Sequence, residues 1–188
     1  MATVTQASEL LMTAEEFGSR PDPGYPEELV RGRIEKVSPP PRARHGQVCS
    51  EVNRVLGNYV RQEGLGHVLS NDSGVITERG PDTVRGADVA FYSYAKLPRG
   101  PLPSTYLAVP PDLIFEVVSP DDRWSKVLVK VAEYLNAGVL VVGVLDPERA
   151  TLHLFEPDRP VQILSADDEL SLPAILGEFR VTIRSFLD

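Results

Sequence analysis

Residues 113–118 read Leu-Ile-Phe-Glu-Val-Val, an apolar run interrupted only by Glu116. An ionised carboxylate in such a run costs several kcal/mol unless something pairs with it. A buried ion pair, or a strand end that carries the side chain to water, would explain it structurally; a place in a functional site would explain it chemically. Asp88 heads a second apolar run, Asp88-Val89-Ala90-Phe91, where a plain strand-start aspartate is the ordinary alternative. Taken together, two carboxylates on neighbouring strands can surround one hard divalent cation, since magnesium is typically held by one or two carboxylates with water and substrate phosphate. Such an ion polarises a phosphoryl oxygen and lowers the pKa of a bound water. A lysine nearby then orients the water and offsets charge developing on phosphorus. Lys126 and Lys130 are four residues apart, on one face of a predicted helix beyond the Glu116 run, and either can reach the site. The commonplace alternative for both is a solvated helix face.

The elements that must hold these residues follow from the apolar pattern. Thr13 and Glu16 have capping-box spacing and open a short helix through Phe17, closed by the proline-rich 21–26 loop. Residues 28–30 and 33–37, joined at Arg31-Gly32, read as a hairpin ended by Ser38 and three prolines. Over 44–63, apolar residues recur at helical spacing (Val48, Val52, Val55, Leu56, Tyr59, Val60), and Gly64 and Gly66 supply the stop. Residues 67–69, 74–77 and 87–92 read as three strands, and 113–118 as a strand buried on both faces. A second helix over 125–137 leads to another apolar strand, 139–145, which implies a right-handed parallel crossover. The alternating residues 151–155 follow a turn at 146–149 and are expected to pair back as an antiparallel edge. Strands near 161–164 and 181–183 complete the chain, which contains no internal repeat.

At 188 residues, 42% hydrophobic and 24% charged, the sequence fits one globular domain over 1–188, with 1–11 free to be flexible. Its single cysteine, Cys49, forms no internal disulfide, no apolar run approaches the roughly 20 residues of a membrane span, and the start lacks a secretion signal, so a cytoplasmic location without membrane contact is expected. A net charge of -8 argues against a protein that coats nucleic acid, so any phosphate site must be local. Residues 31–44 carry five basic side chains against Glu35 alone; they could form an electropositive lip or be ordinary solvated charges. One cysteine and three scattered histidines offer no zinc-ligand spacing, and Ser119 lacks a nucleophile elbow.

Beyond these residues, the chain resembles the PD-(D/E)XK nuclease superfamily, and within it the Uma family of restriction-endonuclease type. The resemblance runs over about residues 12–150, through Met12-Thr13-Ala14-Glu15-Glu16-Phe17, Glu28-Leu29-Val30-Arg31-Gly32-Arg33-Ile34, Arg44-His45-Gly46, Arg85-Gly86-Ala87-Asp88-Val89-Ala90-Phe91, Glu116-Val117-Val118-Ser119-Pro120, Lys130-Val131-Ala132-Glu133-Tyr134 and Asp146-Pro147. It implies a restriction-endonuclease-like α/β core, a mixed central sheet flanked by helices. It also implies Asp88 and Glu116 as metal ligands, Glu28 as a further acid and Lys130 as the catalytic lysine. The superfamily pattern puts its lysine two residues after the glutamate, where this chain has Val118, and Lys130 on the following helix fits a relocated amine better than Lys126. Ala87 stands where a proline commonly precedes the aspartate.

The function implied is a Mg2+- or Mn2+-dependent endonuclease acting on DNA, with His45, Arg44 and Arg33 as substrate contacts and a homodimer as the working form. His45 could instead simply cap its helix, and Trp124, in the loop after Glu116, could simply pack. Two other functions stay open: a non-catalytic binding or regulatory protein on a degenerate nuclease fold, and a hydrolase of small phosphoesters. Target sequence, and DNA against RNA, are not written in these residues.

Overall fold

The computed structural model describes residues 11–37 and 41–188; most of the expected flexible start, and the Ser38-Pro39-Pro40 stop of the hairpin, lie outside them. The capping box forms as the spacing predicts: Thr13 and Glu16 cap each other at the start of α1 (Ala14–Gly18). The hairpin is β1 (Glu27–Val30) and β2 (Arg33–Lys36), paired antiparallel. The first long helix, α2 (Ala43–Glu63), buries Val48, Val52, Leu56 and Val60 at four-residue spacing and ends where Gly64 takes the left-handed conformation at φ 63°.

The two short strands expected over 67–69 and 74–77 are one strand, β3 (Gly66–Glu78), which runs antiparallel along β4 (Thr83–Ser93). The polar stretch between them is not a turn. Ser70 pairs with Val89 and Ser73 with Ala87, so Asn71 and Asp72 together oppose Asp88 in a bulge, both with positive φ (66° and 53°). Asn and Asp tolerate that conformation better than other side chains, so polar residues here signal a bulge as well as they signal a turn.

Next come β5 (Leu113–Val117), α3 (Trp124–Asn136) and β6 (Val141–Asp146), and β5 pairs parallel with β6 as expected of a crossover. β7 (Thr151–Phe155) pairs back antiparallel but is not an edge, because β8 (Gln162–Ser165) covers it. The eight-stranded mixed sheet has the order β2-β1-β4-β5-β6-β7-β8, with β3 on the other side of β4. A small second sheet joins β9 (Glu169–Ser171) to β10 (Arg180–Thr182), and the short helices α4 (Pro173–Leu176) and α5 (Arg184–Leu187) accompany it.

Both faces of the central sheet are covered, which is why β5 and β6 are apolar almost throughout. On one face α2 and the C-terminal elements pack on Val89, Phe91, Leu113 and Phe115. On the other, Val131 and Tyr134 of α3 pack on Ala87, Ala90, Ile114 and Val144. No helix of the described residues is long and apolar enough to cross a membrane.

Phe115, buried and 5.7 Å from the Phe186 ring, ties the sheet to the C-terminal segment. Phe115→Ala is expected to cost roughly 3–5 kcal/mol, measured as a lower urea midpoint with an unchanged m-value.

Candidate active site

One edge of β4 is shared between two strands. Leu29 of β1 pairs with Val84, and Val89 pairs with Phe115 of β5. Among the described residues no strand registers beside 85–88 on that edge, so the sheet forks there. Buried backbone groups without a ladder partner must find another, and side chains provide it. The amide of Gly86 donates to Glu28 Oε1 at 3.0 Å. Its carbonyl accepts from Lys130 Nζ at 2.9 Å and from Tyr134 Oη at 3.1 Å. On the β5 side, the amide of Val117 donates to Asp88 Oδ2 at 2.7 Å.

Asp88 lies one residue beyond the Val89–Phe115 pair, its carboxylate bonds the amide next to Glu116, and both acids line one cleft, Asp88 beside His45 of α2 and Glu116 beside Lys130 and Tyr134 of α3. The bulge brings Asp72 opposite Asp88 on the other side, so the three carboxylates form a row across β3, β4 and β5. Gly86 makes room for that row, since a Cβ there would lie 3.1 Å from Asp72 Cβ and 3.2 Å from its carbonyl oxygen. A cleft of about 270 Å³ opens at the fork, and Glu28, His45, Asp72, Asp88, Glu116 and Lys130 all line it.

Glu116 is satisfied on both oxygens, by Lys130 Nζ at 2.8 Å and by Tyr134 Oη at 2.8 Å. Lys130 therefore reaches the acid from α3, while Lys126 stays exposed on the same helix. Glu28 is engaged by Arg85 at 2.8 Å and lies 3.7 Å from Lys130 Nζ. Arg85, itself buried, makes a two-pronged contact with Glu133 of α3 at 2.6 and 2.9 Å. That triad fixes α3 against β1 and β4, three residues along the helix from Lys130. His45, on the first turn of α2, presents Nε2 to Asp88 Oδ1 at 3.2 Å and Nδ1 to Ser119 Oγ at 3.3 Å.

Two expected substrate contacts lie outside the cleft lining: Arg44 is exposed and bonds Gln47 at 3.1 Å, and Arg33 is exposed at the start of β2. Of the basic stretch, Arg42 does line the cleft, beside Asp121, with which it pairs. Trp124 packs, its ring 4.8 Å from that of His153. Three members of the site have no role in the sequence reading: Asp72, Tyr134 and the Arg85–Glu133 pair. Tyr134 was accessible in principle, since it lies four residues after Lys130 on the same helical face. Asp72 was not, because nothing local distinguishes a bulge aspartate from a turn aspartate.

Burial pushes the Glu116 carboxyl up, to about 7, against the pull of Lys130 and with a further push from Asp88. Desolvation alone would lower Lys130, but the Glu116 and Glu28 carboxylates override it and hold the ammonium charged. The hydrogen bond that His45 donates to Asp88 raises its pKa, and partial burial together with Asp88 raises Asp72. The cleft lining contains seven acids (Glu27, Glu28, Asp72, Asp88, Glu116, Asp121 and Asp122) against Arg42, Lys130 and His45. That excess of hard oxygen donors suits a divalent cation, which carboxylates such as those of Asp88 and Glu116 could hold.

Because the folded state raises Glu116 from 4.5 to about 7, it binds that proton more tightly than the unfolded chain does, and stability must fall as pH rises through this window. In chelator, Glu116→Gln should remove that part of the fall, measured as urea midpoints across the window. Manganese should then raise the wild-type midpoint at neutral pH more than that of the variant. Superimposable profiles would remove Glu116 as the source.

A solved structure of a protein described as a "putative nuclease belonging to DUF820" from Anabaena variabilis ATCC 29413 superposes with a TM-score of 0.80, covering 94% of this chain and 97% of that one at 21% identity. At that identity the likeness is one of fold. No curated protein matches the chain. The model of the Uma2 family, described as "Putative restriction endonuclease", matches residues 14–184, which takes in the hairpin, the forked sheet, both long helices and every residue of the cleft. The chain belongs to the Uma2 family.

Proposed function

We propose that the protein is a metal-dependent endonuclease that hydrolyses phosphodiester bonds in DNA. The observation that carries this is the meeting, in one cleft, of Asp88 and Glu116 from the adjacent strands β4 and β5, with Lys130 bonded to Glu116 at 2.8 Å. A bound Mg2+ or Mn2+ would polarise a phosphoryl oxygen and acidify a water molecule. Asp88 and Glu116 would hold that ion. Lys130 stays protonated at neutral pH, so it acts as a hydrogen-bond donor and positive charge and not as a base: it orients the attacking water and offsets the charge developing on phosphorus. Tyr134 and Gly86 hold the Lys130–Glu116 pair in register. Glu28 is a positioning residue, fixing Gly86 and Lys130 from the hairpin.

His45 stands beside Asp88 with its pKa raised, so it can donate to a phosphate oxygen. Arg33 and Arg44, exposed outside the cleft, are assigned to flanking phosphates, which carry no sequence information. The homodimer, one subunit for each strand, belongs to the same proposal and rests on the family likeness alone. A non-catalytic binding function draws support from the net charge of -8 and from Val118 standing where the superfamily pattern has its lysine.

Supercoiled plasmid separates the two. With manganese or magnesium the wild-type protein should nick it, Asp88→Ala should reduce nicking to background, and Lys130→Ala should slow it by on the order of 10²–10³. Circular dichroism checks that the variants are folded. A folded wild-type protein that leaves plasmid, linear duplex, single strands and RNA intact would falsify the enzyme reading and leave the binding one. Turnover of a chromogenic phosphodiester without any nucleic-acid cleavage would instead assign small phosphoesters.

A further inference from the structure

The sequence shows no zinc spacing because its histidines and single cysteine are scattered, but the folded chain brings donors together from separate elements. His45 and Cys49 are four residues apart on α2, one helical turn, and so share a face. Their ligand atoms and a carboxylate oxygen of Asp88 all lie within 4.8 Å of one another. Donors around a single zinc ion lie roughly 3–4 Å apart, from its bond lengths, so closing the set needs only a small rotation of side chains. The imidazole is already oriented, with Nε2 towards Asp88 and Nδ1 held by Ser119 Oγ at 3.3 Å, the outer contact that ligating histidines usually have. A second pocket, about 330 Å³ and open to solvent, is lined by His45, Cys49, Asp72 and Asp88 and gives an ion a way in.

We propose that His45, Cys49 and Asp88 form a site for a thiophilic divalent cation of the zinc class, which when filled inhibits cleavage by withdrawing Asp88 from the magnesium site. The inhibitory half rests on the nuclease reading above; the metal site does not. Mg2+ takes oxygen ligands and has little use for a thiolate, whereas imidazole and thiolate suit zinc, with water in the fourth position. Burial and the neighbouring carboxylates keep the Cys49 thiol protonated, so the incoming cation displaces that proton to solvent as the sulfur–metal bond forms. Cys49 has no part in holding magnesium, which makes it the residue that separates the two ions.

The test titrates the full chain with zinc by calorimetry, and with cobalt by absorbance in the near-ultraviolet, where a thiolate ligand produces a charge-transfer band. Cys49 is the only cysteine, so such a band reports that residue alone. The wild type should bind one zinc ion and show the band; Cys49→Ser should lose the band and bind zinc on the order of tenfold more weakly or worse. With magnesium the Cys49→Ser protein should nick plasmid like the wild type and continue at zinc concentrations that silence the wild type. Should the variant fail to fold, protection of the wild-type thiol from alkylation by zinc takes its place. Absence of the cobalt band, or equal zinc affinity of the two proteins, overturns the site. Zinc binding with undiminished magnesium-dependent nicking overturns the inhibition alone, and if nothing nicks, the nuclease reading has failed while calorimetry and absorbance still decide the metal site.

Discussion

The interior of a sheet tolerates few unpaired backbone groups, and β4 leaves a gap of four residues between its pairing with β1, at Val84, and its pairing with β5, from Val89. That gap recruits the polar side chains of the site. Gly86 in the fork is bonded by Glu28 from the hairpin and by Lys130 and Tyr134 from α3, while Asp88 satisfies Val117 on the far branch. Had the ladder continued, Gly86 would be paired with a strand, and neither the cleft nor the reason for those side chains to converge would exist. The constraint that shapes the backbone is therefore the one that assembles the chemistry.

Convergence of acids carries a cost of its own. The carboxylates of Asp72, Asp88 and Glu116 stand in a row with Glu28 close behind, and burial raises Glu116 into the neutral range. Lys130 offsets part of this, and Arg85 bridges Glu28 and Glu133. Buried ion pairs add little net stability against apolar packing, but removing one partner is expensive, so a network of this kind fixes geometry more than it strengthens the fold. Here the geometry fixed is the height of Lys130 along α3 relative to Glu116. A divalent cation among the carboxylates would relieve the remaining repulsion.

The residues that stood out in the sequence did so because each broke a pattern. Glu116 interrupts an apolar strand, Asp88 heads another, and Lys130 falls on a helix face one crossover away. Those anomalies have local causes and so are legible locally. Asp72 broke no pattern: in a polar stretch between two apolar ones, a bulge and a turn look alike, and only the register of β3 against β4 tells them apart. Tyr134 looked like core and is core, yet its hydroxyl also serves Gly86 and Glu116. Arg33 and Arg44 were attractive as members of a basic stretch, but the hairpin and the first turn of α2 leave both outside the cleft lining.

By itself the sequence determined most of the elements and their order, though not that residues 66–78 form one strand, since apolar periodicity, capping residues and glycine stops act within a few residues of one another. It also determined which acids required an explanation. The fork in β4, the row of three carboxylates and the meeting of His45 and Cys49 with Asp88 were decided only by the tertiary structure. Each depends on the register between strands or on the seating of a helix against a sheet, and such long-range alignments are set by packing and hydrogen bonding between distant segments that no local pattern encodes.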